Sequence, residues 1–155
     1  MSRVDNQHES EPLVTPQNER VQIDLEMIPL VRALWALGLD TAGCCQNLGE
    51  SVLWGGESDV KYGGRDRHAL FYAGQAWLKM PTVDACGLLT VLARYPEFQD
   101  RLNRWTMPGA WECYVYLLAD EGKVSPSPLA QVHFPQEQIT EVTAVLTHEH
   151  EARRG

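Results

Sequence analysis

The sequence predicts an α+β domain: a small antiparallel or mixed sheet of about four to five strands covered by about three helices. Three observations predict it. Apolar residues recur at helical spacing in stretches opening near Asp24, Thr82 and Pro135. They alternate with polar or aromatic residues, as strands do, around Trp111–Leu117 and Ala130–Phe134. Glycine and proline punctuate the joins between the two kinds of segment.

Taken in order, residues 1–20 hold Gln, Asn, Glu and Ser with little apolar bulk, so a disordered N-terminal arm is expected there. The domain proper is expected over 21–148, with a frayed tail at 149–155. Asp24 is a good N-cap, and Ile28, Val31, Leu34, Trp35 and Leu37 form one stripe that Gly38 ends, which predicts a helix over about 25–37. Thr41 to Gln46 is short and small-residued, and predicts a strand. The segment 47–67 carries Gly49, Gly55, Gly56, Gly63 and Gly64 and is expected to be a long glycine-rich loop, functional or unfolded. Two strands are expected around a turn at Ala73-Gly74-Gln75, with Ala69 and Phe71 before it and Ala76, Leu78 and Met80 after it. Thr82 caps a helix with the stripe Ala85, Leu88, Leu89 and Leu92, closing at Tyr95-Pro96. A short helix over Phe98, Leu102 and Trp105 comes next, then a strand from Trp111 to Leu117. Pro126 and Pro128 precede a strand carrying Ala130, Val132 and Phe134 on one face and Gln131 and His133 on the other. Pro135 opens a last helix with Ile139, Val142, Thr143 and Leu146 inward.

The chain of 155 residues is about one domain long. Lys and Arg total 13 against 21 Asp and Glu, a net charge of -8. Non-specific nucleic-acid binding depends on clustered Lys and Arg neutralising phosphates, so no nucleic-acid partner is expected. No apolar run approaches the roughly 18–20 residues that cross a bilayer, and no membrane partner is expected. Residues 1–20 lack the apolar stretch of a signal peptide, which points to a cytoplasmic location. Cys44 and Cys45 are adjacent, and neighbouring Cα atoms lie about 3.8 Å apart, short of the roughly 4.4–6.8 Å of a disulfide. Cys86 and Cys113 sit in apolar patterns and are expected as small buried hydrophobes.

The run from Ile23 to Thr41, with Leu34-Trp35-Ala36-Leu37-Gly38, followed by Cys44-Cys45-Gln46, resembles small uncharacterised proteins of actinobacteria and their phages. Val132-His133-Phe134-Pro135 and the helix after it resemble the closing segment of the same group. The chain departs from that pattern in having Cys44 where serine is frequent, and in its glycine-rich insert. The resemblance implies a phage-type accessory protein acting in the host cytoplasm, and implies no activity.

The sharpest chemical candidate is Cys44-Cys45-Gln46, at a strand end entering a loop. A thiolate there is a nucleophile if a neighbouring base lowers its pKa, with His68 or His133 as the base. The competing expectation is packing of the two side chains on opposite sheet faces. Opposed directions also separate the two sulfurs, and His148-x-His150 has the wrong spacing for one helix face, so no metal ligands are expected. Neither phosphate-binding glycine motif is present, and no cofactor is expected. Gln46, Trp54, Tyr62, Arg65 and Arg67 are candidate binding residues, because aromatic and arginine side chains dominate contact hot spots. The functional expectation is a non-enzymatic protein that binds a host protein or a small molecule. The alternatives are a thiol-dependent enzyme using Cys44 or Cys45, and nucleotide capture by the glycine-rich loop. Nothing in the sequence sets an oligomeric state.

Overall fold

Strand β4 (Gln75–Pro81) organises the molecule, because its alternation is complete: Ala76, Leu78 and Met80 are fully buried while the residues between them are half-buried. In the computed structural model, which describes residues 8–55, 69–103 and 107–155, β4 pairs antiparallel with β3 (Gly43–Cys45) and with β6 (Lys123–Pro135). Strand β5 (Glu112–Asp120) completes an all-antiparallel sheet of order β3-β4-β6-β5. The register sets Ala76 opposite Phe134, Leu78 opposite Val132 and Met80 opposite Ala130, so the two predicted apolar rows are one surface. This is an α+β fold, as the sequence predicts.

Helices cover that surface. Helix α1 (Ile28–Ala36) follows a 3-10 turn at Leu25–Met27, carries Pro29 in its first turn and stops before Gly38, whose φ of +76° favours glycine. Helix α3 (Thr82–Ala93) packs on β4 and β6, and α5 (Ile139–Arg154) packs across α1 and α3. Between α3 and β5 lies α4 (Pro96–Asn103), which buries Phe98. Val31 and Leu146 share one buried cluster and Leu89 packs against it, so the apolar stripes converge on a single interior. Each fully buried side chain of this size contributes roughly 1.5–3 kcal/mol relative to exposure.

Several expectations are corrected. The segment assigned to an unfolded arm holds strand β1 (Ser10–Val14), paired residue by residue with β2 (Arg20–Asp24). Its turn is built by Thr15 and by Asn18 at φ 67°, a conformation asparagine tolerates, and Leu13 and Ile23 are buried. The expected frayed tail is helical to Arg154, because Glu149 is buried and takes ion pairs from Arg94 (2.9 Å) and Arg153 (3.1 Å). The first part of the expected glycine-rich loop is helix α2 (Leu48–Gly55), while the remainder, 56–67, lies outside the described residues. In place of the strand expected before Gly74 there is a helical turn at 69–71, leaving Leu70 and Phe71 exposed. Pro126 and Pro128 lie within β6 rather than before it. Pairing with β4 ends at Leu129, so that stretch of β6 has one free edge, where a missing N–H leaves no partner unsatisfied. Cys86 and Cys113 are exposed rather than buried: Cys86 falls off the stripe of α3, and Cys113, although it pairs with Val132 on the helix-covered face, lies on the edge strand β5.

Candidate functional site

The face of the sheet opposite α1 and α3 carries the chemistry. In register across it run Cys45, Trp77, His133 and Glu112, one from each strand. Cys44 pairs with Leu78 and packs against the core, so the adjacent cysteines diverge. Burial first, then the charges of Asp24 and Cys45, push the Cys44 thiol up to about 12. Burial also raises the Cys45 thiol, against a hydrogen bond from Ser51, whose Oγ lies 3.0 Å from Sγ. Neither sulfur has the depressed pKa that a nucleophile needs.

Beside Cys45 the fold builds a polar cluster that unites distant segments. His8 Nδ1 lies 3.1 Å from Asp24 Oδ2 and 3.7 Å from Cys45 Sγ, and Nε2 lies 2.8 Å from Glu50 Oε2. His8, Asp24 and Cys45 are all buried. Asp24, expected as a helix cap, makes no such bond; its Oδ2 accepts the Gln46 backbone N–H at 3.0 Å instead. Gln46 is therefore a strut: its Oε1 also accepts the Glu26 N–H at 3.2 Å. Asn47 fixes Glu50 through reciprocal bonds, donating to Oε1 at 3.1 Å and accepting the Glu50 N–H at 3.2 Å. Both His8 ring nitrogens face a carboxylate, and Nδ1 lies nearer Asp24 Oδ2 (3.1 Å) than Cys45 Sγ (3.7 Å). The arrangement does not make a thiol–imidazole dyad.

His133 lies elsewhere. β4 stands between it and Cys45, two strand spacings or roughly 10 Å away, so the structure does not bring the expected thiol and base together. Its ring is stacked between Tyr72 (centroids 5.2 Å, 26°) and Tyr114 (5.4 Å, 5°) and is 3% exposed. Nε2 is 3.1 Å from the Tyr114 hydroxyl, whereas Nδ1 is buried with no hydrogen-bond partner among the described residues. Burial lowers the imidazole to about 4, so it is neutral near pH 7. Beside it Trp77 Nε1 donates to Gln131 Oε1 at 2.7 Å. A cavity of about 220 Å³ opens here, walled by His133, Glu112, Gln75, Tyr72 and Phe71 and by the 107–110 turn.

Tyr62, Arg65, Arg67 and His68, together with the side chain of Trp54, lie outside the described residues. His148 makes an edge contact with the Tyr95 ring at 6.3 Å. Sequence reasoning missed His8, because it was assigned to an arm, and missed Tyr72, because it was assigned to a strand. The legible signal for the first was Thr15-Pro16-Gln17-Asn18, a turn between Leu13-Val14 and the alternating Val21 and Ile23. Comparison with known protein families, with curated proteins and with solved structures finds no match to this chain.

Proposed function

We propose that this protein is a non-enzymatic binding protein whose ligand is a small planar heterocycle, held in the cavity beside His133. One observation carries the proposal: a buried imidazole nitrogen with no partner among the described residues, belonging to a ring that two tyrosines fix and that lines the cavity. Leaving such a group unsatisfied costs about 1–3 kcal/mol, and a ligand that bonds it recovers that cost. The neutral ring offers Nδ1 as donor or acceptor according to tautomer, Gln75 offers both, and Glu112 accepts. With Glu112 on the wall and a net charge of -8, the ligand is neutral or cationic and carries N–H donors rather than phosphate. The test is calorimetric titration with adenine and with 2-aminobenzimidazole. Binding of either, weakened about 10-fold or more in His133→Phe, supports the proposal. Absence of binding by both, or equal binding by the variant, contradicts it.

A protein-partner reading rests on a separate observation. The far end of the β5–β6 hairpin exposes Leu117 (71%), Val124 (66%) and Leu118 (48%), and β5 is an edge strand. Such an edge suits strand addition by an extended segment of a partner. By the resemblance above, that partner would be a host protein. A protein recovered on wild-type chain but lost on Leu117→Lys would favour this reading, and equal recovery on both would remove it.

A further inference from the structure

We propose that His8 Nδ1, a carboxylate oxygen of Asp24 and Cys45 Sγ form a metal site of the zinc class, which staples the N-terminal hairpin to the sheet. The donors come from just before β1, from the end of β2 and from the end of β3, and lie within 4.8 Å of one another. Zinc bonds of roughly 2.0–2.2 Å to nitrogen and oxygen and about 2.3 Å to sulfur, set at the tetrahedral angle, separate donors by roughly 3.3–3.6 Å. The observed separations are 3.1 Å from Nδ1 to Oδ2 and 3.7 Å from Nδ1 to Sγ, with all three donors within 4.8 Å, so the side chains would have to close around the ion by about 1 Å at most.

The surroundings complete the design. Nε2 meets Glu50 at 2.8 Å, the carboxylate–histidine arrangement that orients a metal-bound imidazole. Ser51 Oγ stands 3.0 Å from Sγ, placed to donate to a thiolate, and the Gln46 N–H donates to Oδ2. Charge balance favours the same conclusion. On binding, the dication displaces the Cys45 thiol proton and takes a lone pair of Nδ1. One dication, one carboxylate, one thiolate and a neutral imidazole sum to zero, which suits a buried position. A mixed nitrogen, oxygen and sulfur set selects zinc-like ions over magnesium or calcium. A water completes fourfold coordination. This site is separate from the His133 cavity and does not depend on its role.

Cobalt(II) titration of the full chain tests the proposal. The expected result is one cobalt per chain with a thiolate-to-cobalt charge-transfer band, displaced by zinc. The band disappears in Cys45→Ser and survives in Cys44→Ser, which removes the sulfur on the other face. Glu50→Ala weakens binding by about 10–100-fold, and His148→Asn/His150→Asn leaves it unchanged. If Cys45→Ser does not fold, zinc X-ray absorption of the wild-type chain reads the donor set directly, with one sulfur at about 2.3 Å among nitrogen and oxygen neighbours. No charge-transfer band from the folded wild type, a band lost with Cys44, or a band lost with His148 and His150 would each overturn it.

Discussion

The two faces of the four-stranded sheet use the same strands for different ends. On the helix-covered face, Ala76, Leu78, Met80, Ala130, Val132 and Phe134 are all fully buried and contain no polar side-chain atom. Burial there is non-directional, and many apolar sequences of similar volume would serve. On the opposite face Gln131 and His133 are as buried as core residues, at 5% and 3%, yet each depends on particular neighbours: Trp77 for the amide, two tyrosines for the imidazole. The first face sets stability and the second places chemistry. The contrast teaches where substitutions should register: as unfolding free energy on one side, as ligand response and pH dependence on the other.

The largest effect should come from the covered face. Leu78→Ala deletes a fully buried side chain and should cost about 2–5 kcal/mol in urea unfolding. Trp77→Phe, one residue away on the other face, loses the bond to Gln131 and should cost about 1–2 kcal/mol. Equal losses at the two positions would break the comparison. Next comes Gly49→Ala in α2, where an added Cβ would stand 2.5 Å from the Ala69 carbonyl oxygen and from the Ala73 nitrogen. Backbone cannot yield as a side chain can, so about 1–3 kcal/mol of destabilisation is expected, with α2 displaced from the 69–74 turn. A wild-type midpoint for this variant would show that the turn gives way freely.

A smaller effect sharpens the account of the open face. Burial holds the His133 imidazole at about 4 in the folded chain, against 6.5 for an unperturbed ring. As pH falls below 6.5, the unfolded chain takes up a proton that the folded chain refuses. Stability therefore drops through the window from 6.5 toward 4, and this contribution levels off below it. Between pH 6.5 and 5, above most carboxylate titration, thermal scans of His133→Phe should show a shallower decline than the wild type. Parallel curves would place the imidazole in contact with water.

What was legible in the sequence follows the same division. The stripes of α1, α3 and α5 and the alternation of β4 and β6 are local patterns of apolar bulk, and they place Val31, Leu89 and Leu146 around one interior. The divergence of Cys44 and Cys45 was also legible, because it follows from strand geometry alone. The His8 cluster was not, since it joins positions 8, 24, 45 and 50 through a hairpin whose strands are short and half polar. Asp24 shows the ambiguity well: its type and position fit a helix cap, and only the tertiary fold diverts the carboxylate to His8 and Gln46. The His133 stack was illegible for a like reason, because Tyr72 reaches it from a helical turn that the sequence presents as a strand.

The central claim is that the cavity beside His133, rather than the thiols, engages the ligand. Proton–nitrogen NMR of the uniformly nitrogen-15-labelled chain, amide and long-range imidazole spectra both recorded before and after addition of adenine, reads this directly. A shifted Nδ1 resonance of His133, with the Cys44 and Cys45 amides unmoved, is the predicted result. An unmoved His133 resonance, with shifts gathered at the two cysteines, would contradict the account.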